Sequence, residues 1–556
     1  MKHLLPHALG KVPCDLIFRN VTYLDVFSGT WLQGDVAIAD GRIVGLDRGL
    51  KAIREIDAKG KFLVPGFIDA HVHIESSLVV PRGFEKTVMP KGTTTAICDP
   101  HELTNVLGPK ALQYFLDEAS KLHLNLKVML SSCVPATHLE TNGGGEVTAK
   151  DLIPFKSHPN ALGLAEMMNV PGVLLGDESV HEKLEAFQDK IIDGHAPLLK
   201  GLELSAYAMC GISSCHESSE LPEAREKLTK GVAVWIREGS VAKDLGTLIS
   251  LLTTASCLNV GFCTDDRNPL DIATEGHLDF LVREAIRLGA NPIDVYRAVS
   301  FSVALHYGLN LGTDRIGAIA PGFIADLVLL NDAKTVSIHS VLKRGKFVSE
   351  LETPQNLVTS SPNTVFMDSL TAADLEGVKG QVNVIRVIPN KIITEHDVQD
   401  SGARGVSKLS VVERHGKKSK PANAYVSGFG ESFQGAIASS VGHDSHNLIC
   451  VGSNTKDMCT ALTALAKLGG GFCVVKDGVV LAELALPFGG LMSMKDPTEV
   501  EKGLRELRRA SQSTGCKLSE PFLQLAFLSL PVIPKLKLTD LGLVDVDQFK
   551  LIPVGI

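Results

Sequence analysis

The chain has 556 residues, of which 44% are hydrophobic and 21% charged, and a formal net charge of −8. That balance excludes a disordered chain and gives enough length for two or three cores. The negative charge and the lack of any basic run argue against nucleic acid as a partner and leave small molecules as the expected ligands. Eleven scattered cysteines form no CxxC pair, and Cys98, Cys133, Cys263 and Cys473 lie inside apolar strand-like runs. This is the pattern of a reducing cytosol rather than of a disulfide framework. The opening MKHLLPHALGKVP lacks a sustained apolar stretch with a cleavage site, and no apolar run approaches the roughly 20 residues that span a bilayer. A soluble cytoplasmic protein with no membrane partner is expected.

From Cys14 to about Glu55 the sequence is β-rich, and Asp40-Gly41 between two alternating apolar runs marks a two-residue hairpin turn. A similar rhythm returns in IGAIAPGFIADLVLLND, Ile316 to Asp332, followed by the strand-like HSVLKRGKFV. A small β-sandwich built from residues 1–61 and 312–354 is therefore expected, interrupted by a larger domain at 62–311.

That insert alternates short apolar strands with amphipathic helical segments about eight times over some 250 residues, the arithmetic of a (β/α)8 barrel. The first strand is read as one apolar run from Phe62 to Ile68, leading into PGFIDAHVHIES, Pro65 to Ser76. A doubly wound sheet would alternate in the same way. The barrel is favoured because nearly every strand carries His, Asp or Glu at its C-terminal end, where barrels assemble their sites.

In order, those ends supply His71 and His73; Asp99, His101 and Glu102; Glu166; His195; His216 and Glu217; Arg237 and Glu238; and Asp265 and Asp266. Residues two apart on a strand share a face, so His71 and His73 can address one metal ion while Val72 turns into the packing. Taken alone, HxH is a weak motif that ordinary strand histidines satisfy. Four imidazoles and two carboxylates on one rim, however, suffice for two divalent metals about 3.5–4 Å apart with a bridging carboxylate. Glu166, a lone acid after the apolar ALGLA, is the expected bridge. His71, His73 and Asp265 would hold one metal, and His195 and His216 the other. The donor set suits Mn, Fe or Zn.

PGFIDAHVHIES with the spaced Glu, His, His and Asp resembles the amidohydrolase superfamily. DPHE, GLAEMMNVPGV, DGHAP, REGS and CTDD resemble the bacterial adenine deaminase family, and the likeness runs nearly end to end. It implies hydrolysis of adenine to hypoxanthine and ammonia by a hydroxide bridging a binuclear metal centre, with Mn2+ or Fe2+ preferred over Zn2+, and a glutamate where related enzymes bridge with a carboxylated lysine. Lys127, in the third strand, is badly placed for that role. Cys215 stands where the family has an acid, and it should point away from the metals if His216 points toward them. Asp265 is expected to take the proton from the hydroxide, with Asp266 orienting the loop that follows. Glu217, His101 and Glu102 are expected to read or protonate the ring, and Asp99, Glu102, Arg237 and Glu238 to contact substrate. Arg237 and Glu238 equally fit an ion pair bracing the loops. A homodimer or higher homo-oligomer is expected. A cyclic amidase, an N-acetyl sugar deacetylase and a non-catalytic relative are the alternatives, since one scaffold hosts many chemistries.

Residues 355–556 read as a separate α+β domain, with LVTSSPNTVFMDSL as the boundary. Within it VGHDSHN clusters His443, Asp444 and His446. The cluster reads as a metal site or as a polar turn against the barrel mouth, and the lack of further ligands nearby favours the turn. LPFGGLMS, Leu486 to Ser493, reads as a tight turn or a close backbone approach rather than a phosphate cradle.

Overall fold

The computed structural model describes residues 1–352, 363–417 and 420–556. The expected boundary between 354 and 355, and the first part of LVTSSPNTVFMDSL, lie outside the described residues.

Strands from both ends of the insert form one eight-stranded sheet. In it Cys14–Asp25 pairs with Thr30–Ala39, and Phe62–Pro65 runs antiparallel to Leu327–Asp332. Asp40 and Gly41 turn the hairpin at φ of 47° and 71°, the left-handed pair that a two-residue primed turn requires.

The run from Phe62 to Ile68 is two strands, not one. Phe62–Pro65 belongs to this small sheet, and Phe67–Val72 opens the next. Gly66 makes the break: its N–H donates to Asp326 O at 2.8 Å, and a Cβ there would collide with the Thr94 side chain. Apolar content alone cannot show such a break, because both strands are buried.

Eight parallel strands in sequential order follow: β1 (Phe67–Val72), β2 (Thr93–Cys98), β3 (Asn125–Leu130), β4 (Ala161–Met167), β5 (Ile191–Gly194), β6 (Ile212–Cys215), β7 (Ala233–Arg237) and β8 (Val260–Cys263). The barrel closes where Val72 bridges Asp265 in parallel register, with Asp265 N–H on His71 O at 3.1 Å. Asp265 takes φ of 51° there, a left-handed conformation that Asp tolerates better than most residues. Its side chain is thereby aimed inward at the C-terminal rim.

The C-terminal part holds a mostly antiparallel eight-stranded sheet, against which helices Thr455–Leu468 and Pro497–Ser513 pack, and a three-stranded sheet between Leu536 and Ile552. It does not stand apart from the barrel. One continuous apolar core joins Val72, Leu103 and Leu130 to Ile385, Phe488 and Leu528. The C-terminal part thus sits over the barrel mouth and excludes water from it.

Candidate metal centre

The strand ends bring together His71, His73, Glu166, His195, His216 and Asp265, all buried. Glu166, at the end of β4, divides its two oxygens between two pairs of imidazoles. Its Oε1 lies 3.4 Å from His73 Nε2 and 3.7 Å from His71 Nε2. Its Oε2 lies 2.6 Å from His195 Nδ1 and 3.2 Å from His216 Nε2. Asp265 Oδ1 completes the first group, 3.2 Å from His73 Nε2 and 3.7 Å from His71 Nε2. The two Nε2 atoms of His71 and His73 face each other at 3.1 Å, and buried donors turned on one point suit a shared cation. Groups of these residues converge closely enough to hold metal ions. The donor set of four imidazoles and two carboxylates therefore fits a pair of divalent metals.

Neighbouring groups fix the orientation of these donors. His73 Nδ1 donates to the backbone carbonyl of Asp99 at 3.0 Å, which leaves Nε2 free as the donor atom. Asp69 accepts the Thr264 N–H and hydroxyl at 3.1 and 2.6 Å and thereby steadies the turn into Asp265. Burial acts to raise Glu166, but the charges and hydrogen bonds of His195 and His216 outweigh it and hold the carboxyl well below its usual range. Burial likewise opposes the ionisation of Asp265, and the His73 hydrogen bond and the Arg237 charge overcome it.

Around the six stand the other rim residues. Arg237 pairs with Glu217, and reaches Asp265 Oδ2 and Asp244 Oδ2, each at 3.1 Å. Glu217 Oε1 lies 3.6 Å from His216 Nε2. His101 Nδ1 meets Asp99 Oδ2 at 3.0 Å and also lies 3.4 Å from Glu166 Oε1. Its Nε2 faces Glu102 and Asp444 instead. Asp99 is fully occupied behind His101, where it also accepts the Ser131 hydroxyl, and it does not line the cavity. Glu238 turns away to accept the Leu245 N–H at 3.1 Å, so it too is outside the cavity lining. Asp266 accepts the Ser76 hydroxyl and lines the cavity. Lys127 reaches Asn160 at 3.0 Å, far from the six, and Cys215 packs into the apolar core.

The cavity is roofed by Ile392, Phe527, Leu530 and Ile533, with His443 and Asp444 beside them. The four apolar residues were not legible in the sequence. They come from loops and a short helical turn more than 120 residues beyond β8, and nothing in their local pattern separates them from ordinary core. Met168, two residues after Glu166, completes that apolar lining.

Comparison with known proteins places this geometry. Residues 62–348 match the amidohydrolase family, which is metal-dependent, and residues 386–550 match the adenine deaminase C-terminal domain. The chain is 46% identical to an adenine deaminase of Brucella suis over 99% of its length and 96% of the relative's. It is 48% identical to one of Cereibacter sphaeroides over 98% of each chain, and 46% identical to an adenine deaminase 1 of Rhizobium etli over 99% of each. Among solved structures it is similar to an N-acetyl-D-glucosamine-6-phosphate deacetylase of Mycobacterium smegmatis, at 14% identity and a TM-score of 0.45 over 60% of this chain and 99% of that one. An adenosine deaminase of Xanthomonas campestris with bound Zn gives 15% identity and a TM-score of 0.43 over 60% of this chain and 93% of that one. With relatives this similar over nearly its whole length, the chain belongs to the adenine deaminase family of the amidohydrolases.

Proposed function

We propose that the chain hydrolyses adenine to hypoxanthine and ammonia, a purine salvage reaction, with two divalent metal ions held by His71, His73, Glu166, His195, His216 and Asp265. The observation that carries this reading is the division of the two Glu166 oxygens between the two histidine pairs, which is what a bridging carboxylate requires. When bound, the metals supply Lewis acidity and a water activated at neutral pH. Resemblance to the family favours Mn2+, with Fe2+ or Zn2+ as alternatives.

The chain's own residues would then handle protons and orientation. Asp265, kept ionised by His73 and Arg237, is the group to accept a proton and pass it toward the substrate. Glu217, also held ionised by Arg237, lies 3.6 Å from His216 Nε2 on the cavity wall and is assigned to the ring nitrogen. His101, anchored by Asp99, stands between the metal ligands and the roof and limits where the ring can lie. Both oxygens of Glu102 lie against histidine nitrogens, of His443 and His446, which places it in the wall rather than free to read the ring. The apolar roof keeps bulk water from the site, which strengthens each of these interactions.

A cytoplasmic setting is supported by eleven free cysteines, nearly all buried, and among the described residues no helix is long and apolar enough to cross a membrane. Self-association is supported by Leu175, Leu202 and Met209, exposed apolar side chains on two neighbouring helices.

The test is an ultraviolet assay of adenine with Mn2+-loaded protein, with hypoxanthine and ammonia measured in the same tube. Stoichiometric conversion is expected. No conversion by a folded protein shown to carry two metals would overturn the substrate assignment.

A further inference from the structure

A second set of metal-type donors stands at the seam between the barrel and the C-terminal part. Glu102 lies on the helix that follows β2, α1 (His101–Leu107). His443 and Asp444 lie on the loop between strands Ala436–Ser439 and Leu448–Gly452. Four donor atoms converge there. His101 Nε2 is 3.5 Å from Glu102 Oε1 and 3.6 Å from Asp444 Oδ1. His443 Nδ1 is 3.8 Å from Asp444 Oδ1 and in close contact with Glu102 Oε1. Donors about 2.0–2.2 Å from a tetrahedral cation stand roughly 3.3–3.6 Å from one another, so the separations of 3.5, 3.6 and 3.8 Å are near what a shared ion would set.

The hydrogen bonding agrees. Both Glu102 oxygens are buried and neither has a hydrogen-bond partner of acceptable geometry, although histidine nitrogens lie against them. His101 Nδ1 is bonded to Asp99, the carboxylate–histidine arrangement that presents Nε2 to a metal. His446 Nδ1 accepts the Gly442 N–H at 3.3 Å, so its Nε2 carries the proton and orients Glu102 Oε2 from behind. The HDSH segment thus has the further ligands that its sequence neighbourhood lacks, and they come from the barrel.

We propose that His101 Nε2, Glu102 Oε1, His443 Nδ1 and Asp444 Oδ1 bind a third divalent cation of the Zn2+ type, separate from the Glu166 pair, which fastens the C-terminal part to the barrel mouth. Two imidazole nitrogens and two carboxylate oxygens are ligand types that Zn2+ accepts, and four buried protein donors fill its tetrahedral positions.

The experiment is an anomalous-scattering map of crystals of the full chain loaded with Zn2+, together with metal counts by mass spectrometry. A third peak about 2.0–2.2 Å from the four atoms is expected. Counts should fall from three per chain to two in His443→Ala and in Asp444→Ala, and from three to one in Glu166→Ala. Peaks at the Glu166 pair alone, or a third ion that survives both His443→Ala and Asp444→Ala, would overturn the site. Because the map uses the unaltered protein, misfolding of a variant leaves the test standing. Because neither readout involves adenine, the result is independent of the assigned substrate.

Discussion

At the scale of single residues, Arg237 governs the ionisation of the site. Its guanidinium pairs with Glu217 and Asp265 and is braced by Asp244, all of them buried. Both carboxyls lie below their ordinary range partly because of it. A depressed carboxyl works above its folded pKa and is lost as pH falls through it. Removing the cation should therefore raise both pKa values. The acidic limb of the pH–rate profile of Arg237→Met is expected to move up by about one unit, and an unmoved limb would show that Arg237 only braces the loops. The six metal-type residues were legible in the sequence because each ends an apolar strand. Glu238 was less so: it shares that position, but its carboxylate caps the Leu245 N–H, a choice made by a loop whose path the sequence does not display.

At the scale of elements, the paired glycines of LPFGGLMS give a close backbone approach. Gly489 and Gly490 take φ of 66° and 73°. A Cβ on the first would strike Leu103, on α1 beside Glu102, and one on the second would strike the Arg414 guanidinium. Arg414 Nη2 in turn donates to Gly489 O at 2.9 Å. Gly490→Ala should cost about 2 kcal/mol from the left-handed backbone and the collision. Gly246→Ala, with nothing within 4 Å of its added methyl, should stay within about 0.5 kcal/mol. Urea unfolding of the two variants checks this, and equal stabilities would remove the packing role of the turn. The Asp40-Gly41 hairpin was legible because local turn chemistry decides it. The split of the Phe62–Ile68 run was not, since it depends on Thr94 from the next strand.

At the scale of the whole molecule, the C-terminal part roofs the site, and Lys537 holds two pieces of that roof together. Its buried amine donates to Ile392 O at 2.9 Å and Phe527 O at 2.8 Å, and burial lowers its pKa to about 7. Between pH 7 and the ordinary lysine value of 10.5 the unfolded chain binds the extra proton, so on this account stability rises with pH through that window. Comparing urea unfolding at pH 7 and pH 9, Lys537→Met should lack about 2 kcal/mol of the gain the unaltered chain shows, given some 1.4 kcal/mol per pKa unit. Identical gains would show that Lys537 titrates normally. This roof was the part least legible in the sequence, because its contacts with the rim join residues several hundred positions apart. The central claim rests on Glu166, and the most direct measurement is the metal content and adenine turnover of Glu166→Ala, with far-ultraviolet circular dichroism as the check on folding. Loss of the metal pair and of turnover in a folded chain is the expected result; retention of both would contradict the bridging role and the mechanism built on it.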